Sequence, residues 1–195
     1  MFSASALPRS SPTRPVAFVA IGAGAAVLLA AVVAVAVFAW GPVRALSAPF
    51  VPSVASGHIP DTALLDEVDL PAIARLDPGL LSAIKDAAAA AAAEGIVLEL
   101  TSGWRSREYQ QWLLEEAIAT YGSEEIARRF VATPERSSHV TGEAVDVGGI
   151  DAQSWLIERG AQWGLCQIYA NERWHFEIAT DPGGVCPELL PDAAG

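Results

Sequence analysis

The chain has 195 residues, the length of one or two domains, with 52% hydrophobic residues and a net charge of −11. Its composition is uneven: all 23 acidic residues follow position 60, and residues 16–40 contain no charge and only two residues outside the hydrophobic set. These features argue against a wholly soluble cytosolic protein. They also argue against a nucleic-acid-binding protein, which would need a basic face.

The apolar segment over residues 16–40 is predicted to be a transmembrane anchor. At about 1.5 Å rise per residue it can cross a hydrocarbon core of about 30 Å, whereas the apolar region of a signal peptide has about 7 to 15 residues. Arg9 and Arg14 precede the segment and only Arg44 follows it closely. The positive-inside rule therefore predicts a cytoplasmic N-terminus over residues 1–15 and a single-pass protein of the cell membrane.

The alternative is a long signal peptide that is cleaved before Ala48, because Ala45 and Ser47 supply small residues at the positions that cleavage needs. In both cases the remainder of the chain is extracytoplasmic. Beyond Ala45 it carries nine basic and 23 acidic residues, a net charge of −14.

Residues 41–61 are predicted to form a flexible tether. The part from 46 to 60 contains three prolines, three serines, one glycine and no charge, which is typical of an extended linker. His58 lies in this segment, and we expect it to be solvated.

Residues 62–195 are predicted to form one extracytoplasmic domain. Helices are expected over 78–95, 106–120, 123–130 and 152–163, the first capped by Asp77 and the last opened by Asp151 and closed by Gly164. Strands are expected over 96–100, 144–147, 167–169 and 174–178, with a loop over 134–142. Several strands are too close in sequence for crossover connections. The pattern therefore predicts the α+β class, with a small, mainly antiparallel sheet flanked by helices.

Cys166 and Cys186 are the two cysteines of the chain. An oxidising extracytoplasmic space favours a disulfide between them, which would contribute about 3 kcal/mol by the loop-entropy estimate. The alternative is a pair of buried, unpaired thiols.

Three residues have the side-chain types and the predicted positions that a metal site requires. His139 lies in the loop, Asp146 follows seven residues later on a strand, and His175 lies on another strand. They can converge as nitrogen and oxygen ligands of a catalytic zinc ion, with the fourth position left for water. The spacing of His139 and Asp146 alone does not separate metal ligands from ordinary structural residues.

Two charged residues are candidates for catalysis. Glu172 lies three positions before His175, where a carboxylate can accept a proton from water and return it to a leaving amine. Arg105 lies between a strand and a helix, where a guanidinium can hold a carboxylate or stabilise an oxyanion. The alternative for each residue is an ordinary solvated charge on the surface.

Three motifs resemble the zinc D-alanyl-D-alanine carboxypeptidases of the VanY type, which share the hedgehog-like fold. They are SGWRSREYQ over 102–110, SxHxxGxAxD over 137–146 and ExWH over 172–175, in the order found in that family. The resemblance covers about 98–178, most of the predicted domain. The chain has Trp104 where the family usually has Tyr, and Arg173 where it often has Pro, and both positions were expected to flank the cleft.

The resemblance implies a role for each matching residue. His139, Asp146 and His175 would bind zinc, and Glu172 would be the general base and acid. Arg105 would anchor substrate or stabilise the transition state. Ser137 and Gln110 would contact the substrate or the residues behind it, and Trp174 is interpreted as packing.

The function implied is removal of the terminal D-alanine from peptidoglycan stem peptides that end in D-Ala-D-Ala. A D,D-dipeptidase or a peptidoglycan endopeptidase would use the same ligands and stays open. A wall-binding module that keeps its zinc but turns over little substrate is a further alternative, which the retained Glu172 disfavours. A purely structural protein would require these motifs to be coincidental.

Overall fold

A five-stranded antiparallel sheet lies at the centre of the structure, which confirms the predicted α+β class. The computed structural model describes residues 49–194. The predicted cytoplasmic segment, the predicted anchor and the first part of the predicted tether lie outside the described residues.

The strands are β1 (Ala63–Leu64), β2 (Glu99–Ser102), β3 (Ala144–Val147), β4 (Leu165–Gln167) and β5 (His175–Ile178). Their order is β1-β2-β3-β5-β4, and every neighbouring pair is antiparallel.

Six α-helices and two short 3-10 helices connect the strands of the described region. The α-helices are α1 (Pro71–Ala74), α2 (Pro78–Ala93), α3 (Arg107–Tyr121), α4 (Glu124–Ala127), α5 (Ser138–Thr141) and α6 (Ile150–Arg159). The 3-10 helices cover Val54–Ser56 and Gly160–Trp163. Between residues 49 and 194, no helix has both the length and the apolar character needed to cross a bilayer.

The alanine-rich helix α2 begins and packs as its sequence predicts. The carboxylate of Asp77 accepts hydrogen bonds from the backbone N–H groups of Gly79 and Leu80 at 2.8 and 3.0 Å, and Pro78 follows the cap. Its buried residues recur every three or four positions along one face. They are Leu80, Ile84, Ala87 and Ala91.

Several element boundaries differ from the predicted ones because strand pairing, rather than local composition, sets them. The strand predicted over 96–100 is found over Glu99–Ser102, where it pairs with β3. The strand predicted over 167–169 is found over Leu165–Gln167. The predicted loop contains the four-residue helix α5, and β1 has no counterpart among the predicted strands.

One face of the sheet packs in the apolar core, and the other carries polar side chains. Val145, Val147 and Phe176 point into the main core, where residues of α2 and α6 cover them. Asp146 of β3 is directly opposite His175 of β5, so the two side chains share the other face. A register shift between Leu100 and Ser102 lets β2 contribute to both faces.

The described part of the predicted tether is packed against the domain, so the tether prediction is wrong for residues 49–61. Ile59 is part of the main core, and the backbone N–H of Ser106 donates to the carbonyl of Ser56 at 2.9 Å. His58 is half-buried, with Nδ1 at 3.0 Å from the hydroxyl of Tyr109, and is therefore not simply solvated as expected.

The predicted disulfide between Cys166 and Cys186 is present. It joins β4 to the segment that follows β5 and leaves no free cysteine in the described region. The covalent bond fixes the start of the C-terminal segment beside the sheet.

Replacement of Gly57 by alanine tests whether the 49–59 segment must pack in this way. Gly57 has φ +92°, and a Cβ atom would lie 2.1 Å from the carbonyl oxygen of Trp104. We expect Gly57→Ala to lower the free energy of unfolding by more than the about 1–2 kcal/mol that a left-handed conformation alone costs. Denaturant unfolding measures this change.

Gly122→Ala is the matched control. Gly122 also has a positive φ, +69°, but nothing lies within 4 Å of its added Cβ. Equal losses of stability for the two variants would show that the contact between Gly57 and Trp104 is unimportant.

Candidate metal centre

Three side-chain atoms from the predicted ligands converge at one buried point. Nε2 of His139, Oδ1 of Asp146 and Nδ1 of His175 are each 3.2 Å from the other two. His139 is presented by helix α5, and the other two residues lie opposite each other on β3 and β5. All three residues are less than 8% exposed.

The outer partners of the two histidines direct their lone pairs toward this point. Nδ1 of His139 lies 2.8 Å from the carbonyl oxygen of Gly103, which can only accept, so this nitrogen carries the hydrogen. Nε2 of His175 lies 2.9 Å from a carboxylate oxygen of Glu177 and likewise donates. In neutral imidazoles the two remaining nitrogens face Asp146 as acceptors, whereas a protonated His175 donates from Nδ1 to Asp146.

Burial and charge favour a cation here. Burial lowers the pKa of His139, which keeps its imidazole neutral. Burial alone would raise the pKa of Asp146, but His139 and Arg105 lower it well below the usual range. Burial opposes charge on His175, yet hydrogen bonds to Asp146 and Glu177 raise its pKa to about 9. The surroundings of His175 thus attract positive charge.

The donor set fits one metal ion with nitrogen and oxygen ligands. Atoms bound at about 2.0–2.2 Å to a tetrahedral ion lie about 3.3–3.6 Å apart, close to the spacing of these three atoms. The cluster contains three carboxylates, those of Asp146, Glu172 and Glu177, and one guanidinium, that of Arg105, so its net charge is −2 when the carboxylates are ionised and the histidines neutral. A divalent cation would balance that charge.

Glu172 places a buried carboxylate beside the three ligands. It lies in the turn between β4 and β5 and is 6% exposed. Oε2 is 3.8 Å from Nδ1 of His175, whereas Oε1 is buried and has no hydrogen-bond partner among residues 49–194. Burial raises the pKa of Glu172 to about 7, where a carboxyl group can both accept and release a proton.

Arg105 holds the other oxygen of Asp146. Nη2 donates to Oδ2 of Asp146 at 2.6 Å, Nη1 to Gln110 at 3.1 Å and Nε to the hydroxyl of Ser102 at 2.7 Å. A guanidinium has five N–H groups, so two remain for other contacts. Arg105 therefore orients a ligand and lines the cavity at the same time.

Gln110 lines the cavity together with Arg105 and is hydrogen-bonded to it. The side chain is 1% exposed, its carbonyl accepts from Arg105, and its amide donates to the carbonyl of Ala132 at 2.8 Å. Ser137 is buried beside His139 and lines the cavity. The substrate contacts expected of both residues stay predictions.

The tryptophan interpretations need revision. Trp174 is 42% exposed and lines the cavity, so it is not a packing residue as expected. Trp104 lies under the guanidinium of Arg75, 4.3 Å from its ring centre, and Arg173 donates to Ser154. Neither Trp104 nor Arg173 lines the cavity, but each is adjacent in sequence to a residue that does, so their expected place beside the cleft stays a prediction.

Sequence reasoning missed Glu177. It follows His175 by two positions on β5, so their side chains share one face of the strand. Hydrogen bonds to His175 and Ser138 lower its pKa against the effect of burial, so it stays ionised. Its carboxylate links the strand and the helix that carry the two histidines. The two-residue spacing was the available signal.

These features define a candidate hydrolase site that could hold one metal ion, formed by two histidines and an aspartate beside a free carboxylate. The family model for VanY, D-alanyl-D-alanine carboxypeptidase, matches residues 74–180. The match covers more than half of the chain. The chain therefore belongs to the VanY family of D-alanyl-D-alanine carboxypeptidases.

Individual relatives are more distant. A D-alanyl-D-alanine carboxypeptidase of Enterococcus faecalis is 28% identical over 127 residues, which cover 52% of this chain and 47% of the relative. The chain thus spans about half the length of this curated relative.

Two solved structures are similar to this chain over 52% of its length, each with a TM-score of 0.49. One is the vancomycin resistance D,D-pentapeptidase VanY in complex with Zn(II), 29% identical, with 71% of that chain covered. The other is VanYB in complex with D-alanine-D-alanine, 26% identical, with 70% covered.

Replacement of Glu177 tests its role in orienting His175. Outer partners of metal-binding histidines typically contribute about 10- to 100-fold in metal affinity. We therefore expect Glu177→Ala to raise the dissociation constant for Zn2+ by about that factor, and Glu177→Gln, which keeps an acceptor, to raise it less. Competition with a chromophoric chelator measures both values.

Glu158→Ala, an exposed glutamate of α6, is the control and should bind Zn2+ as the unmodified protein does. Equal affinity in Glu177→Ala and Glu158→Ala would contradict the assigned role.

Proposed function

We propose that this chain is a zinc-dependent D-alanyl-D-alanine carboxypeptidase that removes the terminal D-alanine from peptidoglycan stem peptides. The observation that carries the proposal is the convergence of His139, Asp146 and His175 beside the free buried oxygen of Glu172. Family membership supports the reaction class. The relatives that bind Zn(II) and D-alanine-D-alanine support the choice of metal and substrate.

The two histidines and Asp146 would hold the zinc ion. When bound, zinc supplies Lewis-acid chemistry, which polarises the scissile carbonyl and makes water a better nucleophile. Gly103, Glu177 and Arg105 fix the three ligands from outside, so the ligand atoms are already in place before the metal binds.

Glu172 would move the proton. In the described part of the chain its Oε1 has no hydrogen-bond partner, and its pKa of about 7 allows both ionisation states near neutral pH. The carboxylate accepts the proton of the attacking water and delivers it to the departing D-alanine amine. Arg105 keeps two N–H groups that can stabilise negative charge on the substrate as the carbonyl is attacked.

Synthetic stem peptides test the proposal and separate its alternatives. We expect the zinc-loaded full chain to release free D-alanine from a pentapeptide stem. A dipeptidase would release D-Ala-D-Ala, and an endopeptidase would cut only cross-linked stems. Mass spectrometry of the products distinguishes the three. Chelation should stop the release and added Zn2+ should restore it, and cleavage that persists without metal would contradict the proposal.

Glu172→Gln isolates the proton transfer. The variant keeps the size of the side chain but cannot accept a proton, so kcat should fall by about 10²- to 10⁴-fold while the zinc content stays at one ion per chain. Glu188→Gln, an exposed glutamate nearby in sequence, is the matched control. Full activity of Glu172→Gln would show that another group is the base.

We further propose that residues 16–40 anchor the protein in the cell membrane, with the catalytic domain outside. The uncharged apolar length and the preceding arginines support this arrangement. The substrate of the proposed reaction also lies outside the membrane.

The N-terminus of the expressed protein tests the anchor. We expect the full chain to stay with the membrane fraction after an alkaline wash and to retain residues 1–47, because an apolar span holds a protein more firmly than surface contacts. A mature chain that begins at Ala48 and is released in soluble form would establish the cleaved-signal alternative.

A further inference from the structure

We propose that residues Leu190–Ala194, here called the tail, form an end wall of the cavity that confines cleavage to the free carboxyl end of a peptide. This inference rests on the proposed peptidase function and deepens it. It distinguishes a carboxypeptidase or dipeptidase from an endopeptidase, a choice that the ligand residues alone leave open.

One end of the tail is fixed to the turn that carries Glu172. The disulfide at Cys186 positions the chain before the tail. The N–H of Leu190 then donates to the carbonyl of Ile168 at 2.9 Å, and its carbonyl accepts from Ala170 at 2.8 Å. These bonds form a parallel bridge beside Tyr169, a residue that lines the cavity.

The other end of the tail is fixed to the loop on the opposite side of the cavity. Asp192 accepts from Nε of Arg129 at 2.7 Å, and the carbonyl of Ala194 accepts from Nη1 of Arg136 at 2.7 Å. Arg136 directly precedes Ser137 and the helix that presents His139. The tail therefore connects both sides of the site.

Ala193 lies where the tail crosses between these two sides. It is 8% exposed and lines the same cavity as the three ligands, Arg105 and Glu172. A peptide end fits against such a wall, whereas a peptide that continues beyond the scissile bond in this direction would have to displace the tail. The geometry thus favours substrates with a free end.

Backbone contacts hold the wall more firmly than its ion pair does. Arg129 is 59% exposed, so its pair with Asp192 is screened by solvent and contributes little. Removal of this pair would therefore be a weak test. Deletion of residues 191–195 keeps the disulfide and the Leu190 bridge, and takes away the part that closes the cavity.

The test compares two substrates in the zinc-loaded full chain: an uncross-linked pentapeptide stem, and a cross-linked stem dimer in which the peptide continues past the scissile bond. The unmodified chain should cut the pentapeptide and leave the dimer intact. The deletion of 191–195 should raise kcat/KM for the dimer relative to the pentapeptide by about tenfold or more, a change of the size that a single pocket contact provides.

Ala193→Phe is the second variant, and it does not depend on the stability of the deletion. Filling the cavity at the wall should lower kcat/KM for the pentapeptide by about tenfold or more. Leu189→Phe is the matched control, because Leu189 is 47% exposed and does not line the cavity. Thermal unfolding and zinc content should be unchanged in both phenylalanine variants.

The outcomes separate this inference from the proposed function. Cleavage of the pentapeptide with equal kcat/KM in Ala193→Phe and Leu189→Phe would overturn the wall and leave the peptidase intact. Efficient cutting of the dimer by the unmodified chain would also overturn it. Absence of cleavage of any stem peptide by the unmodified chain would instead contradict the proposed function.

Discussion

The structure depends on a buried carboxylate that two imidazole nitrogens face at hydrogen-bond distance. Asp146 is 7% exposed, and desolvation of a charge in such a place is costly unless partners offset it. Arg105 satisfies one oxygen. The other lies 3.2 Å from Nε2 of His139 and from Nδ1 of His175. These three electron-rich atoms need a positive charge among them, which a proton on His175 or a metal ion can supply. The stability of this arrangement and its capacity to bind metal therefore have the same origin.

Sheet register determines whether that cluster can form at all. Side chains alternate between the faces of a strand, so a slip of one residue between β3 and β5 would turn either Asp146 or His175 into the apolar core. Phe176 and Val145 oppose such a slip because both are completely buried among core residues on the other face. The bulge before Ser102 likewise places residues of β2 on both faces of the sheet. Leu100 lies in the core, and the Ser102 hydroxyl accepts a hydrogen bond from Arg105 on the polar face. The apolar packing of one face thus fixes the polar geometry of the other.

The sequence predicted the class of the fold and most of the side chains that form the site. It predicted less well which other residues contact those side chains. His139, Asp146, His175 and Glu172 could be selected because few residue types perform their chemistry and because they recur in recognisable motifs. The two-residue spacing of Glu177 from His175 indicates a shared strand face but not its role, and neither that role nor the exposed position of Trp174 follows without knowing which face of β5 is buried and where the cavity opens. Strand limits were shifted for the same reason: pairing partners lie far away in sequence, whereas propensity is local.

The segment before β1 shows why its amino-acid composition did not predict that it is ordered. Its prolines, serines and single glycine resemble a linker in composition, but part of its packing on the domain is made by backbone groups, which composition does not describe. The carbonyl of Ser56 accepts from Ser106, the residue that caps α3, and Gly57 packs directly on the backbone of Trp104 and Arg105. A larger residue at position 57 would push against the loop that aims Arg105 at Asp146. The glycine that made this segment look flexible is therefore what lets it support the loop from behind, and through Arg105 the support reaches the metal ligand itself.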